Sequence, residues 1–214
     1  MRPPVASSRP AAPSLPPVAV MADADRDASR DAALRAMPPG DPWVFAYGSL
    51  MWDRGVFAFG AAESALLHGY RRSFCVWTQQ ARGTPEQPGL ALGLEAGGAC
   101  RGVAFRVARG DAAGAFDRIW RREMHTGCYR PRWVRARLAA GDVAAVTFLT
   151  RRDHPQYAGR LRPETAAHHI ARAAGERGPC REYLASTLEH LAMLGTRDRG
   201  LERLLELVDR VPPA

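Results

Sequence analysis

The sequence predicts an α+β fold with a closed or strongly curled sheet, and three observations carry that reading. Apolar stretches of strand length, separated by Gly and Pro, crowd the chain from Asp41 to about residue 107. One helix interrupts the strands at about 112–124, and the last third shows helical apolar spacing. Strands first and helices later, with no internal repeat, fit a small sheet with a helical layer better than the βαβ alternation of a parallel sheet.

Taken in order, residues 1–40 hold eight of the seventeen prolines and no aromatic residue. Such a composition cannot bury enough surface to offset the entropy of ordering, so this stretch is expected to be a disordered leader. Asp23, Asp25, Asp27 and Asp31 are foreign to a transit peptide, no apolar block of a signal peptide is present, and Met21 and Met37 are alternative starts. A single domain is expected over 41–210. Its strands are WVFAY (43–47), LLHGYRRSFCVW (66–77), LALGLE (90–95) and RGVAFRV (101–107), followed after the helix by YRPRWVRARL (129–138) and DVAAVTFLT (142–150). Residues 164–177 and 181–194 form two further helices, and Leu201, Leu204, Leu205 and Val208 make the stripe of a last amphipathic one.

Composition excludes several chemistries. The chain has 214 residues and a net charge of +8, and all 30 of its basic residues are arginine. Without lysine there is no Schiff base and no Walker phosphate loop. The arginines are scattered in pairs, such as Arg71-Arg72, Arg121-Arg122 and Arg151-Arg152, with no interleaved stacking aromatics, which argues against a nucleic-acid partner. No apolar run reaches the ~20 residues of a membrane span. Cys75, Cys100, Cys128 and Cys180 show no C-x-x-C pair and no histidine at ligand spacing, so no metal site is expected, and reduced thiols of a cytoplasmic protein fit better than a disulfide framework.

Two features bear on function. In the helix AAGAFDRIWRREM, Phe116, Ile119, Trp120 and Met124 fall at i, i+3, i+4 and i+8, and the missing i+7 member is Glu123. A carboxylate in an apolar stripe is costly unless paired or protonated, and desolvation raises its pKa toward that of a general base. The competing reading is a carboxylate at a helix end, paired with Arg121, Arg122, Arg130 or Arg132. The second feature is FAYGSLMW (45–52), a strand broken at Gly48-Ser49. Successive backbone N–H groups in such a turn can form a concave anion site, or the turn can simply end a strand.

Beside these residues, the chain resembles the ChaC family of glutathione-specific γ-glutamylcyclotransferases, in particular its bacterial branch. The resemblance is carried by WVFAYGSLMW (43–52), HGYRRSFCVW (68–77), RGTPEQPGLALGLE (82–95), CRGVAFRV (100–107), WRREM (120–124), YRPRWV (129–134), HPQYAG (154–159) and EYLASTLEHLAMLG (182–195), in the family's order. It implies a γ-glutamylcyclotransferase-like small curled β-barrel with flanking helices. It also implies a cofactor-independent reaction in which the α-amine of a γ-glutamyl unit attacks its own γ-carbonyl, converting glutathione to 5-oxoproline and Cys-Gly. The family's catalytic glutamate maps onto Glu123, and its glutamyl-holding turn onto Tyr47, Gly48, Ser49 and Leu50, with Phe45 and Ala46 as the adjoining wall. Many relatives have glycine where this chain has Ala46. Arg82 and Glu86 are candidates for the glycyl end of the substrate, and Tyr129 for a hydrogen bond to substrate or to Glu123. Cyclotransferases for other γ-glutamyl dipeptides or amines, and a non-catalytic regulatory protein of the same fold, are the alternatives.

Overall fold

The computed structural model describes residues 15–212. Five strands, β1 (Trp43–Ala46), β2 (Ala61–Thr78), β3 (Gly89–Arg106), β4 (Tyr129–Leu138) and β5 (Gly141–Thr150), close into a barrel in the order β1-β3-β2-β4-β5. Closure is made by a short parallel pairing of β1 with β5, Trp43 opposite Ala145 and Val44 opposite Val146. The other pairings are antiparallel, as hairpin-connected strands allow. The seam between β2 and β4 is equally short, Leu66 opposite Arg137 and Leu67 opposite Ala136.

The two segments expected as separate strands at 90–95 and 101–107 are one strand, β3. Gly97 (φ 101°) and Gly98 (φ 74°) take positive φ within it, and Gly69 (φ 82°) does so on β2, where the register shifts between His68 and Tyr70. Glycine lets the backbone pass through a bulge, so the ribbon kinks where the sequence suggested that it ends.

Helix α2 (Ala112–Glu123) crosses from β3 to β4 and buries Phe116, Ile119 and Trp120. Trp120 stacks on Phe116 with ring centroids 5.2 Å apart and meets Phe148 of β5 edge-on at 5.0 Å. This fixes the rotation of the helix on the barrel. Helices α3 (Pro163–Arg172), α4 (Cys180–Met193) and α5 (Arg199–Asp209) form the C-terminal layer. Asp198 caps α5 by accepting from the Leu201 N–H at 3.1 Å.

The helix expected over 164–177 stops at Arg172, because the chain turns into a small hairpin, β6 (Ala174–Gly175) with β7 (Gly178–Pro179). Gly175 lies so close to the 79–88 loop that a Cβ there would sit 2.2 Å from the Gln80 carbonyl oxygen. Only glycine permits that approach.

The leader requires a correction. Residues 1–14 lie outside the described part, but Asp23–Arg35 is a helix, α1, packed on the barrel, so disorder does not hold for this part of 1–40. Asp23 and Asp25 occupy its first turn, where the helix dipole favours negative charge. Ser29 Oγ accepts a hydrogen bond from the Trp120 indole at 3.2 Å, the Ala33 carbonyl accepts one from Trp133 at 3.1 Å, and Arg30 pairs with Asp117 of α2 at 2.7 Å. Composition bears only on whether a segment can bury its own surface. The helix is held because it supplies acceptors to the buried Trp120 indole and the half-buried Trp133 indole of other elements.

Candidate active site

The end of β1 is held from three sides. Thr147 Oγ1 donates to the Phe45 carbonyl at 3.0 Å, the Tyr47 hydroxyl donates to the Phe148 carbonyl at 2.8 Å, and Arg72 Nε donates to the Tyr47 carbonyl at 2.7 Å. Arg72 has a side chain only 4% exposed; it also donates to the Arg101 carbonyl at 2.6 Å and pairs with Asp198 at 3.3 Å. The cap of α5 and the turn after β1 thereby share one guanidinium.

Beyond Tyr47 the chain makes a single 3₁₀ turn, Ser49–Met51, closed by the Met51 N–H on the Gly48 carbonyl at 2.9 Å. The leading N–H groups of such a turn have no partner within it. Gly48 has φ −132°, so glycine is not needed here for a left-handed conformation. Space requires it: a Cβ at Gly48 would stand 2.9 Å from the Tyr183 hydroxyl.

Glu123 closes α2 next to this turn. Its side chain is 18% exposed, and its Oε1 accepts from Arg122 Nε at 3.1 Å while Arg122 Nη2 donates to Ser49 Oγ at 2.8 Å. Arg122 also pairs with Asp53. Both readings of Glu123 therefore meet in one residue, a carboxylate that breaks the buried stripe and is paired to its neighbour. Burial raises its carboxyl above the ordinary carboxylate range against the opposing pull of Arg122 and, more weakly, Arg177.

A pocket with an empty volume of about 700 Å³, its mouth included, opens between these elements. Phe45, Ala46, Tyr47, Gly48, Ser49, Leu50, Arg82, Glu123 and Tyr129, the residues singled out from the sequence, all line it. The Tyr129 hydroxyl is turned to the Leu92 carbonyl at 2.8 Å. Arg82 lies in the pocket wall, its guanidinium 5.5 Å from the centre of the Tyr183 ring and its Nη1 donating to the Pro179 carbonyl at 3.3 Å. Glu86 is exposed and lines no part of the pocket.

Thr78, Ala81, Ala91, Leu92, Phe148, Arg177 and Tyr183 complete the wall and were not anticipated. Tyr183 sits in the stripe Cys180, Tyr183, Leu184, Thr187 and Leu191 of α4, where it reads as packing. Arg177 fell inside an expected helix, although Gly175-Glu176-Arg177-Gly178 carries the glycine spacing of a two-residue hairpin turn. Burial raises the phenols of Tyr47, Tyr129 and Tyr183, and the hydroxyl protons of Tyr47 and Tyr129 are directed to the Phe148 and Leu92 carbonyls. Cys75, Cys128 and Cys180 are buried, their thiols pushed up to about 11, which makes them poor nucleophiles. Among the described residues, no three His, Cys, Asp or Glu side chains gather where they could hold a metal ion, and no helix is long and apolar enough to cross a membrane.

Known proteins share this arrangement of sequence and fold. The glutathione-specific gamma-glutamylcyclotransferase of Escherichia coli is 38% identical over 188 residues, 87% of this chain and 81% of that protein. Gamma-glutamylcyclotransferase 2-3 of Arabidopsis thaliana is 31% identical over 178 residues, 79% of this chain and 89% of that one. The crystal structure of the yeast γ-glutamyl cyclotransferase specific to glutathione superposes with a TM-score of 0.73 at 20% identity, over 80% of this chain and 96% of that chain, which establishes the shared fold. A family model described as ChaC-like protein matches residues 42–211, a span that takes in the barrel, the turn after β1 and Glu123. The chain belongs to the ChaC-like family.

Proposed function

We propose that this protein is a glutathione-specific γ-glutamylcyclotransferase, releasing 5-oxoproline and Cys-Gly, with Glu123 as general base and acid. The observation that carries the role of Glu123 is its place: a largely buried carboxylate of raised pKa shares one pocket wall with the Tyr47–Leu50 turn. At neutral pH the α-amine of a γ-glutamyl group is an ammonium and cannot attack. Glu123 takes one ammonium proton and the freed nitrogen forms a bond to the γ-carbonyl carbon; as the amide bond to cysteine breaks, Glu123 returns that proton to the departing nitrogen and then passes on the second surplus proton of the ring nitrogen, so that a neutral lactam and the ammonium of Cys-Gly are released. No other reactant is consumed.

The reaction is intramolecular, so the remaining task is to fold a flexible chain into a ring-closing shape, an effect worth up to ~7–11 kcal/mol. The N–H groups of the 3₁₀ turn and the Ser49 hydroxyl suit the glutamyl α-carboxylate, while Tyr47 and Phe45 wall the methylene chain. Arg82 is suited to the glycyl carboxylate. The reading takes the enzyme to be cytoplasmic, which four unpaired cysteines support.

The test is incubation of the purified protein with glutathione, γ-glutamyl-alanine and γ-glutamyl-ε-lysine, measuring 5-oxoproline, beside a Glu123→Gln variant. Release from glutathione alone is expected, with activity reduced about 10²- to 10⁴-fold in the variant. Release from none of the three substrates would overturn the enzyme reading, and a fully active variant would remove Glu123 from the mechanism.

A further inference from the structure

The mouth of the pocket holds a second cation that the reaction as described does not use. Arg177 stands at the tip of the β6–β7 hairpin, and the tip is clamped to the loop that bears Arg82. The Glu176 N–H donates to the Gln80 carbonyl at 2.8 Å and the Arg177 N–H to the Ala81 carbonyl at 2.9 Å. The close approach at Gly175 locks the same contact. On the other side of the tip, Arg82 Nη1 lies 3.5 Å from where a Cβ on Gly178 would stand. Two arginine-bearing segments are therefore fastened together at one rim.

Neither guanidinium is neutralised there. Among the described residues no carboxylate lies within 4.0 Å of the Arg82 or Arg177 side chain, and Glu176 accepts instead from the Gln80 amide at 3.3 Å. Glu182, which also approaches Gly178, pairs with neither. Arg177 is exposed, so its charge costs no desolvation and is available to a ligand. Holding two like charges at one rim by backbone bonds disfavours the empty site slightly and favours an anion between them.

A substrate whose α-amine reaches Glu123 must direct the rest of its peptide toward the mouth, and a peptide ends in a carboxylate. We propose that Arg177 is a specificity-determining residue that, with Arg82, receives the distal carboxylate of the γ-glutamyl substrate and selects against analogues lacking that charge. The proposal rests on the cyclotransferase reading. The guanidinium fork matches a carboxylate in geometry, and at an exposed rim the gain appears mainly in KM.

The experiment compares glutathione with its glycinamide analogue as substrates of the wild type, Arg177→Leu and Arg177→Lys. The leucine variant should raise KM for glutathione about two- to fivefold with kcat within about twofold, and lysine should recover part of the loss. KM for the glycinamide should be the same in all three, and the effect on glutathione should shrink at high salt. Equal losses on both substrates, or no change on either, would overturn the proposal. So would a shifted pH profile for both substrates at an unchanged KM ratio, since Arg177 would then act on Glu123 alone. If the wild type released 5-oxoproline from neither substrate, the cyclotransferase reading itself would fail, and this inference with it.

Discussion

The hydroxyl of Ser49 and the carboxylate of Glu123 accept hydrogen bonds from one guanidinium, Arg122 Nη2 reaching Ser49 Oγ at 2.8 Å and Arg122 Nε reaching Glu123 Oε1 at 3.1 Å. The turn after β1 and the end of α2 are otherwise separate parts of the barrel. Arg122 fixes the distance between them and opposes the rise in the Glu123 pKa that burial causes. Position and basicity of the proposed base thus depend on the same side chain.

Arg122→Met should separate these effects by pH. With the cation removed, the Glu123 carboxyl rises further, so the acid limb of kcat/KM moves to higher pH. Activity at neutral pH should fall about ten- to a hundredfold, since a misplaced base adds to the shift. Initial rates of 5-oxoproline release across the pH range check both. An acid limb that stays in place would mean that Glu123 is not the group titrating there.

Glu123→Gln should stabilise the protein as it silences it. The folded-state pKa of Glu123 lies above its ordinary value of 4.5, so the folded protein binds the extra proton. Stability from this group is full below the unfolded value and is lost as pH rises through the raised folded value. The glutamine variant carries no such loss. Its melting temperature should therefore gain on the wild type as pH goes from about 4 to neutrality, and a gap that narrows instead would show that the Arg122 pair outweighs desolvation.

Gly48→Ala tests the reason for the glycine. The new methyl would meet the Tyr183 hydroxyl at 2.9 Å, and Tyr183 is buried, so it has little room to withdraw. Overpacking of this kind typically costs about 1–3 kcal/mol. Adding Tyr183→Phe removes the clashing oxygen and should return most of that stability in the double variant. Urea midpoints of the four proteins in this cycle measure the coupling, and simple additivity would show that backbone conformation, not the tyrosine, demands glycine.

Much of this site was legible because it breaks local patterns. Glu123 interrupts an apolar stripe whose other members, Phe116, Ile119, Trp120 and Met124, are all buried, and Gly48 interrupts a strand. Tyr183 and Leu92 were not legible, because each obeys its own element's pattern and enters the site only through packing. Arg122 was one of four arginines that the sequence offered as a partner for Glu123; its further partners Ser49 and Asp53 are neighbours only in three dimensions. The β4, β5 and α5 segments emerged near their expected bounds because their patterns are strong and self-contained. The merging of two strands into β3 and the ordering of α1 depend on partners elsewhere in the chain.

The cysteines should be silent in the native protein. All four are buried, three have thiols near pKa 11, and burial raises Cys100 as well. At pH 8 a group of pKa about 11 is thiolate only about one part in a thousand. Iodoacetamide should leave the native enzyme unmodified and fully active over a time in which all four react in denaturant. Fast single-site labelling with loss of activity would reveal a reactive thiol and reopen nucleophilic catalysis.

Ser29→Ala tests whether α1 is part of the folded unit. The Trp120 ring is buried, and its indole N–H donates to Ser29 Oγ at 3.2 Å. Removing the acceptor leaves a buried donor unpaired, which costs about 1–3 kcal/mol. A larger loss should follow if α1 leaves the barrel altogether, because Trp133 then also loses its Ala33 acceptor. Thermal unfolding should therefore begin earlier in Ser29→Ala, and deletion of α1 should lower the midpoint further and shift tryptophan emission to the red. Since α2 carries both Trp120 and Glu123, turnover should fall with the deletion even below the unfolding transition. An α1-deleted protein with unchanged melting and unchanged emission would mean that the helix is not docked in solution.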